Sequence, residues 1–263
     1  MQNRAHPPIA SDDALVLENV TRAFGALHAI EDVSFSVAAG ERRAVIGANG
    51  AGKTTLFNVV TGDFPASSGR VLFFGEDVTT MAPFERIRMG LRRTYQSSLL
   101  FRNLTVRDNL FLGVRGVSSG RFSFLRNGKN RSTEELMERV RLTRFADQPV
   151  STLSHGQQRQ LEIGMALAGA PRLILFDEPA AGLSPGERAE LVALLTALPR
   201  HMGFVLIEHD LDIALRVVDR VTVMHNGRLL KHGSPAQIEN DPEVQAIYMG
   251  AKHDGRAESQ LDS

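Results

Sequence analysis

Apolar and polar positions follow two different rhythms along this chain. In "DVSFSVAAGE" (32–41), Val33, Phe35 and Val37 share one face, the period-two pattern of a half-buried strand. "ALVLENV" (14–20) reads as a strand before it, and "RRAVIG" (42–47) as a short apolar strand running into Gly47. "SGRVLFFGEDV" (68–78) looks like one more strand bounded by turn residues. This front portion mixes strands, some of them antiparallel. From residue 154 onward the rhythm changes. "RLILFDEP" (172–179) and "GFVLIEHD" (203–210) are apolar runs ending in charge, as fully buried parallel strands do. Between them "PGERAELVALLTAL" (185–198) is an amphipathic helix, which makes a βαβ unit.

The middle, about 97–152, is helical in character. "TVRDNLFLGV" (105–114) and "STEELMERVRLT" (132–143) both predict helices. Thr105 with Asp108, and Ser132 with Glu135, have capping-box spacing. The stretch between them, "RGVSSGRFSFLRNGKNR" (115–131), is rich in Gly, Ser and Arg and reads as a loop. Residues 1–13 read as a loose arm and 251–263 as a frayed tail.

Composition narrows the function. The 263 residues suffice for a substantial core, and 43 % are hydrophobic, as in ordinary globular proteins. Thirty basic and thirty acidic side chains cancel, so there is no bulk basic field for nucleic acid, which is not expected as a partner. With no Cys there are no disulfides or thiolate metal sites. The start lacks the apolar stretch of a signal peptide, and no apolar run nears the roughly 20 residues of a membrane span. If the protein works at a membrane, it does so through a partner.

The chemistry begins at "GANGAGKTT" (47–55), which fills G-x-x-x-x-G-K-[ST] between a strand and a helix. Gly47, Gly50 and Gly52 let backbone wrap closely around phosphates, with Asn49 and Ala51 between them. The helix N-terminus adds a positive partial charge. Lys53 is placed to reach the β- and γ-phosphates, Thr54 to ligate Mg²⁺, and Thr55 continues the cradle. Asp177 ends a buried strand, where ligands bind in open α/β sheets, and a carboxylate there can hold Mg²⁺ through water. Glu178 follows as a base or orienting group for an attacking water.

Together these residues resemble the ATP-binding-cassette (ABC) ATPase family. "LSHGQ" (153–157) is similar to its signature L-S-x-G-Q, and "AAGLSP" (180–185) to its D-loop. Gln96 in "RRTYQSS" is similar to the Q-loop glutamine, and His209 in "VLIEHD" to the switch histidine. Phe24 stands where the family puts an aromatic under adenine. The resemblance covers about 14–250. It implies an α/β fold of P-loop NTPase, ABC ATPase type. That fold has a mixed-sheet core, an antiparallel β subdomain, a helical subdomain insert at about 97–152, and a signature helix from 154. It implies ATP and Mg²⁺ as cofactors, with Thr54, Gln96 and Asp177 toward the metal and Glu178, His209 and Gln96 in catalysis.

The family pairs two ATPase domains head to tail. Ser154, Gly156 and Gln157 would then face the γ-phosphate held by a second ATPase subunit, identical or paralogous. A hydroxyl, a close-approach glycine and a helix N-terminus make an anion-binding end. A plain Ser cap accounts for Ser154 but not for the Gly-Gln run after it. "MGLRRTYQSSLLFRNLTVRDNL" (89–110), "LSHGQQRQLEIGMAL" (153–167) and "AQIENDPEVQAIYMG" (236–250) resemble one ATPase subunit of bacterial branched-chain amino-acid uptake transporters. That likeness implies integral membrane permease partners and an extracytoplasmic solute-binding protein. It also implies a place on the cytoplasmic face of the inner membrane, peripheral through the permease. ATPases of urea or amide import and of lipopolysaccharide export are close in sequence. A soluble repair ATPase would bring long coiled-coil insertions, a translation factor two cassettes, and a P-loop kinase would leave "LSHGQ" unexplained.

Overall fold

The computed structural model describes residues 12–94, 100–117 and 126–247. Most of the arm, Gln96 and the tail therefore lie outside the described residues. Two sheets organise the rest. The strands β1 (Asp13–Phe24), β2 (Leu27–Ala38), β4 (Ser68–Phe73) and β5 (Glu76–Asp77) form an antiparallel sheet in the order β2-β1-β4-β5. The other sheet combines β3 (Arg42–Ile46), β6 (Leu91–Arg93), β7 (Leu173–Asp177), β8 (Gly203–Ile207), β9 (Arg220–His225) and β10 (Arg228–Gly233). Its order is β10-β9-β3-β8-β7-β6, parallel throughout except for β10 on the edge.

Strand alternation explains why this sheet reads as continuously apolar. On β7, Ile174 and Phe176 enter one core while Leu173 and Leu175 enter another. On β8, Phe204 and Leu206 oppose Val205 and Ile207 in the same way. The sheet is a wall between two cores, so both faces of β7 and β8 are dry and no polar alternation remains on them. One core joins the wall to α1 (Lys53–Thr61) and the antiparallel sheet. The other takes in α3 (Val106–Val117), α4 (Arg126–Arg139), α5 (His155–Leu167), α6 (Pro185–Ala197) and α7 (Leu211–Val217). The short helices α2 (Pro83–Met89) and α8 (Pro235–Glu239) complete the set.

Three sequence expectations are corrected. The stretch 68–78 is a hairpin, not one strand: Phe73 pairs with Glu76, and Phe74 and Gly75 both have positive φ in the turn. Such turns favour Asn-Gly, and Phe at the first position hides this one. The stretch 115–131 is not all loop, because α3 runs to Val117 and α4 already begins at Arg126. Ser132 is therefore inside α4 and does not begin it. Residues 126–131, "RNGKNR", hold no apolar side chain, so periodicity could not reveal their helix. The Thr105–Asp108 box is made as expected: Asp108 N donates to Thr105 Oγ1 at 3.1 Å.

Buried arginines close several helix ends. Arg86, 2 % exposed, donates to Val59 O and Val60 O at the end of α1, each at 2.8 Å. Arg42 reaches Leu198 O after α6 at 2.5 Å. A cation there meets the negative end of the helix dipole and satisfies carbonyls that lack intrahelical donors. Burial lowers the pKa of both guanidinium groups from the ordinary value, yet arginine stays charged.

Candidate functional site

The parallel sheet brings the chemistry to one edge. Val45, Ile207 and Asp177 stand in register on β3, β8 and β7. The segments leaving these strands, 47–52, 178–183 and 208–210, therefore emerge side by side at the carboxyl ends, the usual ligand edge of such sheets.

The loop after β3 has a backbone only glycine tolerates. Gly47 has φ +156°, and a Cβ there would lie 2.3 Å from Met224 O. Gly52 has φ +93°, and a Cβ would meet Ala29 O at 2.4 Å and Ile30 Cγ2 at 2.8 Å. Gly52 is the N-cap of α1, and no side chain caps that end. The first amides of α1 are thus available to a ligand at the positive end of the dipole. Lys53 is buried, and its Nζ donates to Gly47 O at 2.7 Å and Ala48 O at 3.0 Å. Burial lowers its pKa, opposed by the charges of Glu178 and Asp177.

A cavity of about 470 Å³ opens over this loop. Asn49, Gly50, Ala51, Gly52, Lys53, Thr54, Thr55 and Glu178 all line it. Glu178 has φ +47°, a left-handed conformation costly for a side-chain-bearing residue, and its N–H donates to Ile207 O at 3.0 Å. Leu27, His28, Asn226 and Gly227 also line the cavity; sequence reasoning missed them because they come from the start of β2 and the β9–β10 turn. Phe24 is outside that lining. Its ring, 41 % exposed, meets Phe64 edge-on at 5.5 Å and lies 4.4 Å from the Arg22 guanidinium.

Asp177 is fully buried and pairs with Arg93, whose Nη2 donates to Oδ2 at 2.6 Å. Arg93 also donates to Asn58 Oδ1 on α1 at 2.6 Å. A buried carboxylate needs such a partner. Arg93 was not singled out from sequence, though it stands three residues before Gln96. The other oxygen, Asp177 Oδ1, is buried without a hydrogen-bond partner. Asp177 is outside the cavity lining and Thr54 is part of it; the orphaned carboxylate oxygen and the threonine hydroxyl are donors of the type a hard cation takes, with phosphate and water as its other ligands. Among the described residues no three His, Asp or Glu side chains form a metal cage of their own.

His209 follows β8 and is exposed, outside the cavity lining. Its neighbour Glu208 is fully buried and accepts from Ala180 N at 2.9 Å, tying the segment after β8 to the segment after β7. Burial raises the pKa of Glu208.

Ser154 is the N-cap of α5 in a complete capping box. Gln157 N donates to Ser154 Oγ at 3.2 Å, and Ser154 N donates to Gln157 Oε1 at 2.9 Å. None of Ser154, Gly156 and Gln157 lines the cavity over the chain's own phosphate loop. No helix among the described residues is long and apolar enough to cross a membrane.

The sequence model of the ABC transporter family matches residues 30–181. The chain belongs to that family, and within it to the ATP-binding subunits. The high-affinity branched-chain amino acid transport ATP-binding protein BraF of Pseudomonas aeruginosa is 35 % identical over 248 residues, 90 % of this chain and 97 % of that protein. LivG of Escherichia coli, of the same description, is 34 % identical over 252 residues, 91 % of this chain and 99 % of LivG. Among solved structures, the ADP conformation of MJ1267, an ATP-binding cassette of an ABC transporter, has 33 % identity and a TM-score of 0.81. It covers 90 % of this chain and 99 % of its own.

Proposed function

We propose that this chain hydrolyses Mg-ATP in a head-to-tail pair of ATPase subunits and thereby drives a separate membrane permease that imports branched-chain amino acids. The observation that carries the reading is the convergence of Lys53, Thr54 and Glu178 on one cavity at the carboxyl edge of the parallel sheet. The names of BraF and LivG support the cargo.

In this reading Lys53 and the amides of 47–55 bind the phosphates, and Phe24 stacks beside the base. Thr54, Asp177 and Gln96 would hold Mg²⁺, which neutralises phosphate charge when bound. Glu178 orients the attacking water and accepts its proton; its fixed left-handed backbone keeps the carboxylate over the loop. His209 and Gln96 contact the transferred phosphate. Ser154, Gly156 and Gln157 serve the partner's nucleotide, consistent with their absence from the lining of the chain's own cavity. Residues 14–250 act as one ATPase domain whose helical part, about 97–152, meets the permease, so the chain sits peripherally at the cytoplasmic face of the inner membrane. A solute-binding protein delivers cargo on the other side.

The test is purification of the native complex and its reconstitution in proteoliposomes. Co-purification of an integral membrane protein, with ATP-dependent uptake of leucine, isoleucine or valine, is the expected result. A soluble ATPase that brings down no membrane protein would overturn the transport role. Uptake of urea or an amide instead would overturn the cargo alone.

A further inference from the structure

Glu187, at the start of α6, spans two helix N-termini with one carboxylate. Its Oε2 accepts from Ser184 N at 3.0 Å and Ser184 Oγ at 2.9 Å, which closes the box of its own helix. Its Oε1 crosses to α5, where Gly156 N donates to it at 2.9 Å and Ser154 Oγ at 3.2 Å. Those are two of the donors that the head-to-tail reading gives to the partner's γ-phosphate. We infer that Glu187 is an internal stand-in for that phosphate, so that ATP-driven pairing must exchange the Glu187 oxygen for a phosphate oxygen on the same donors. The inference rests on the in-trans role of the signature proposed above.

Capping alone does not account for the contact. The box of α5 is complete with Ser154 and Gln157. On α8, Ser234 and Gln237 close the same kind of box within a single helix. One oxygen of Glu187 suffices for α6, and it is the spare one that reaches the signature. The approach also requires glycine: a Cβ on Gly156 would lie 2.6 Å from Glu187 Oε1. Beside it, a Cβ on Gly182 would lie 3.3 Å from His155 Nε2, so the signature and "AAGLSP" are packed together as one unit. The four donors hold the carboxyl ionised, down to a pKa of about 2. An anion held this way keeps the signature's donors oriented and lowers their affinity for a second anion until that anion offers more charge.

The experiment has two arms on the full chain. Hydrogen exchange of the Gly156 amide, without nucleotide, reads the contact itself. Glu187→Ala should speed that amide roughly tenfold or more while amides of β3 and β8 keep their protection. An unchanged Gly156 would overturn the contact. Should the alanine variant fail to fold, Glu187→Gln carries this arm, because glutamine closes the boxes of α5 and α8. The second arm measures Mg-ATP-driven pairing by sedimentation in the Glu178→Gln background. Replacing a charged acceptor by a neutral one should let Glu187→Gln pair at roughly three- to tenfold lower chain concentration. Equal or weaker pairing would overturn the competition while leaving the in-trans reading intact. A Glu178→Gln parent that never pairs with Mg-ATP would count against self-pairing, and the competition would fall with it.

Discussion

In the proposed function the N-termini of α1 and α5 both serve phosphate, and they are built in opposite ways. At α1 no side chain caps the helix, and glycines with positive φ turn the loop around its amides. At α5 the amides are doubly served, by the Ser154–Gln157 box and by Glu187. The first, uncapped, leaves its amides to a ligand with no local competitor. The second is satisfied within the chain, so in the inference drawn above a phosphate would displace what is there. A site that should always hold nucleotide can afford strain and no cap. A site that should engage only when a partner arrives gains from having its donors occupied meanwhile.

The largest effects are expected where the first site does chemistry. Glu178→Gln keeps the size of the side chain and loses the carboxylate proposed as the base. ATP hydrolysis by the purified complex should fall by roughly 10²–10⁴, while Mg-ATP holds the paired state in light scattering. Normal turnover with no persistent pair would make Glu178 structural. Lys53→Ala removes the only cation in the phosphate loop. It should lower turnover by about 10²–10³ and weaken nucleotide binding, both read in steady-state and equilibrium assays. Near-wild-type values would break the assignment of α1 as the nucleotide end.

Next in size is a stability effect that only α1 should show. Gly52→Ala forces a Cβ against Ala29 O and Ile30 Cγ2 at a left-handed φ. Backbone strain and overpacking together should cost about 2–5 kcal/mol, a fall in Tm of roughly 5–15 °C by calorimetry. Gly156→Ala at the other helix meets only the carboxylate of Glu187, a movable side chain. It should cost less stability than Gly52→Ala and disturb pairing more. Equal losses of Tm would mean the two ends are built alike.

How much of this was legible in the sequence differs between the two ends in the same way. The phosphate loop announces itself because backbone geometry demands glycines at fixed spacing, and spacing is what a sequence displays. Asp177 and Glu178 were legible because a buried strand reads as an apolar run and its end as the first charge. The signature was legible as a motif, but Glu187 as its partner was not. The contact joins residues 31 and 33 apart in sequence through a side chain that reads locally as the third residue of a capping box. Arg93 was missed for a related reason, since its Asp177 partner is 84 residues away. Arg86 and Arg42 were not singled out, because only tertiary packing turns a guanidinium onto a helix end. The early start of α4 stayed hidden where a polar helix leaves no periodic trace.

The smallest effect separates a cap from a recognition element. Ser154 and Ser234 are both N-caps in boxes closed by glutamine, on α5 and α8. Replacing either by alanine should cost about 1 kcal/mol of stability, a loss of roughly 2–4 °C in Tm. If the hydroxyl at α5 only caps its helix and holds Glu187, the two variants should pair alike. If it also serves the partner's phosphate, Ser154→Ala should weaken Mg-ATP-driven pairing by roughly tenfold, the loss of one hydrogen bond to a charged group. Ser234→Ala should leave pairing untouched. The stability cost common to both cancels in that comparison, so a difference in pairing cannot come from a frayed helix. Matching pairing curves for the two serines would reduce α5 to an ordinary capped helix and remove the contrast with α1.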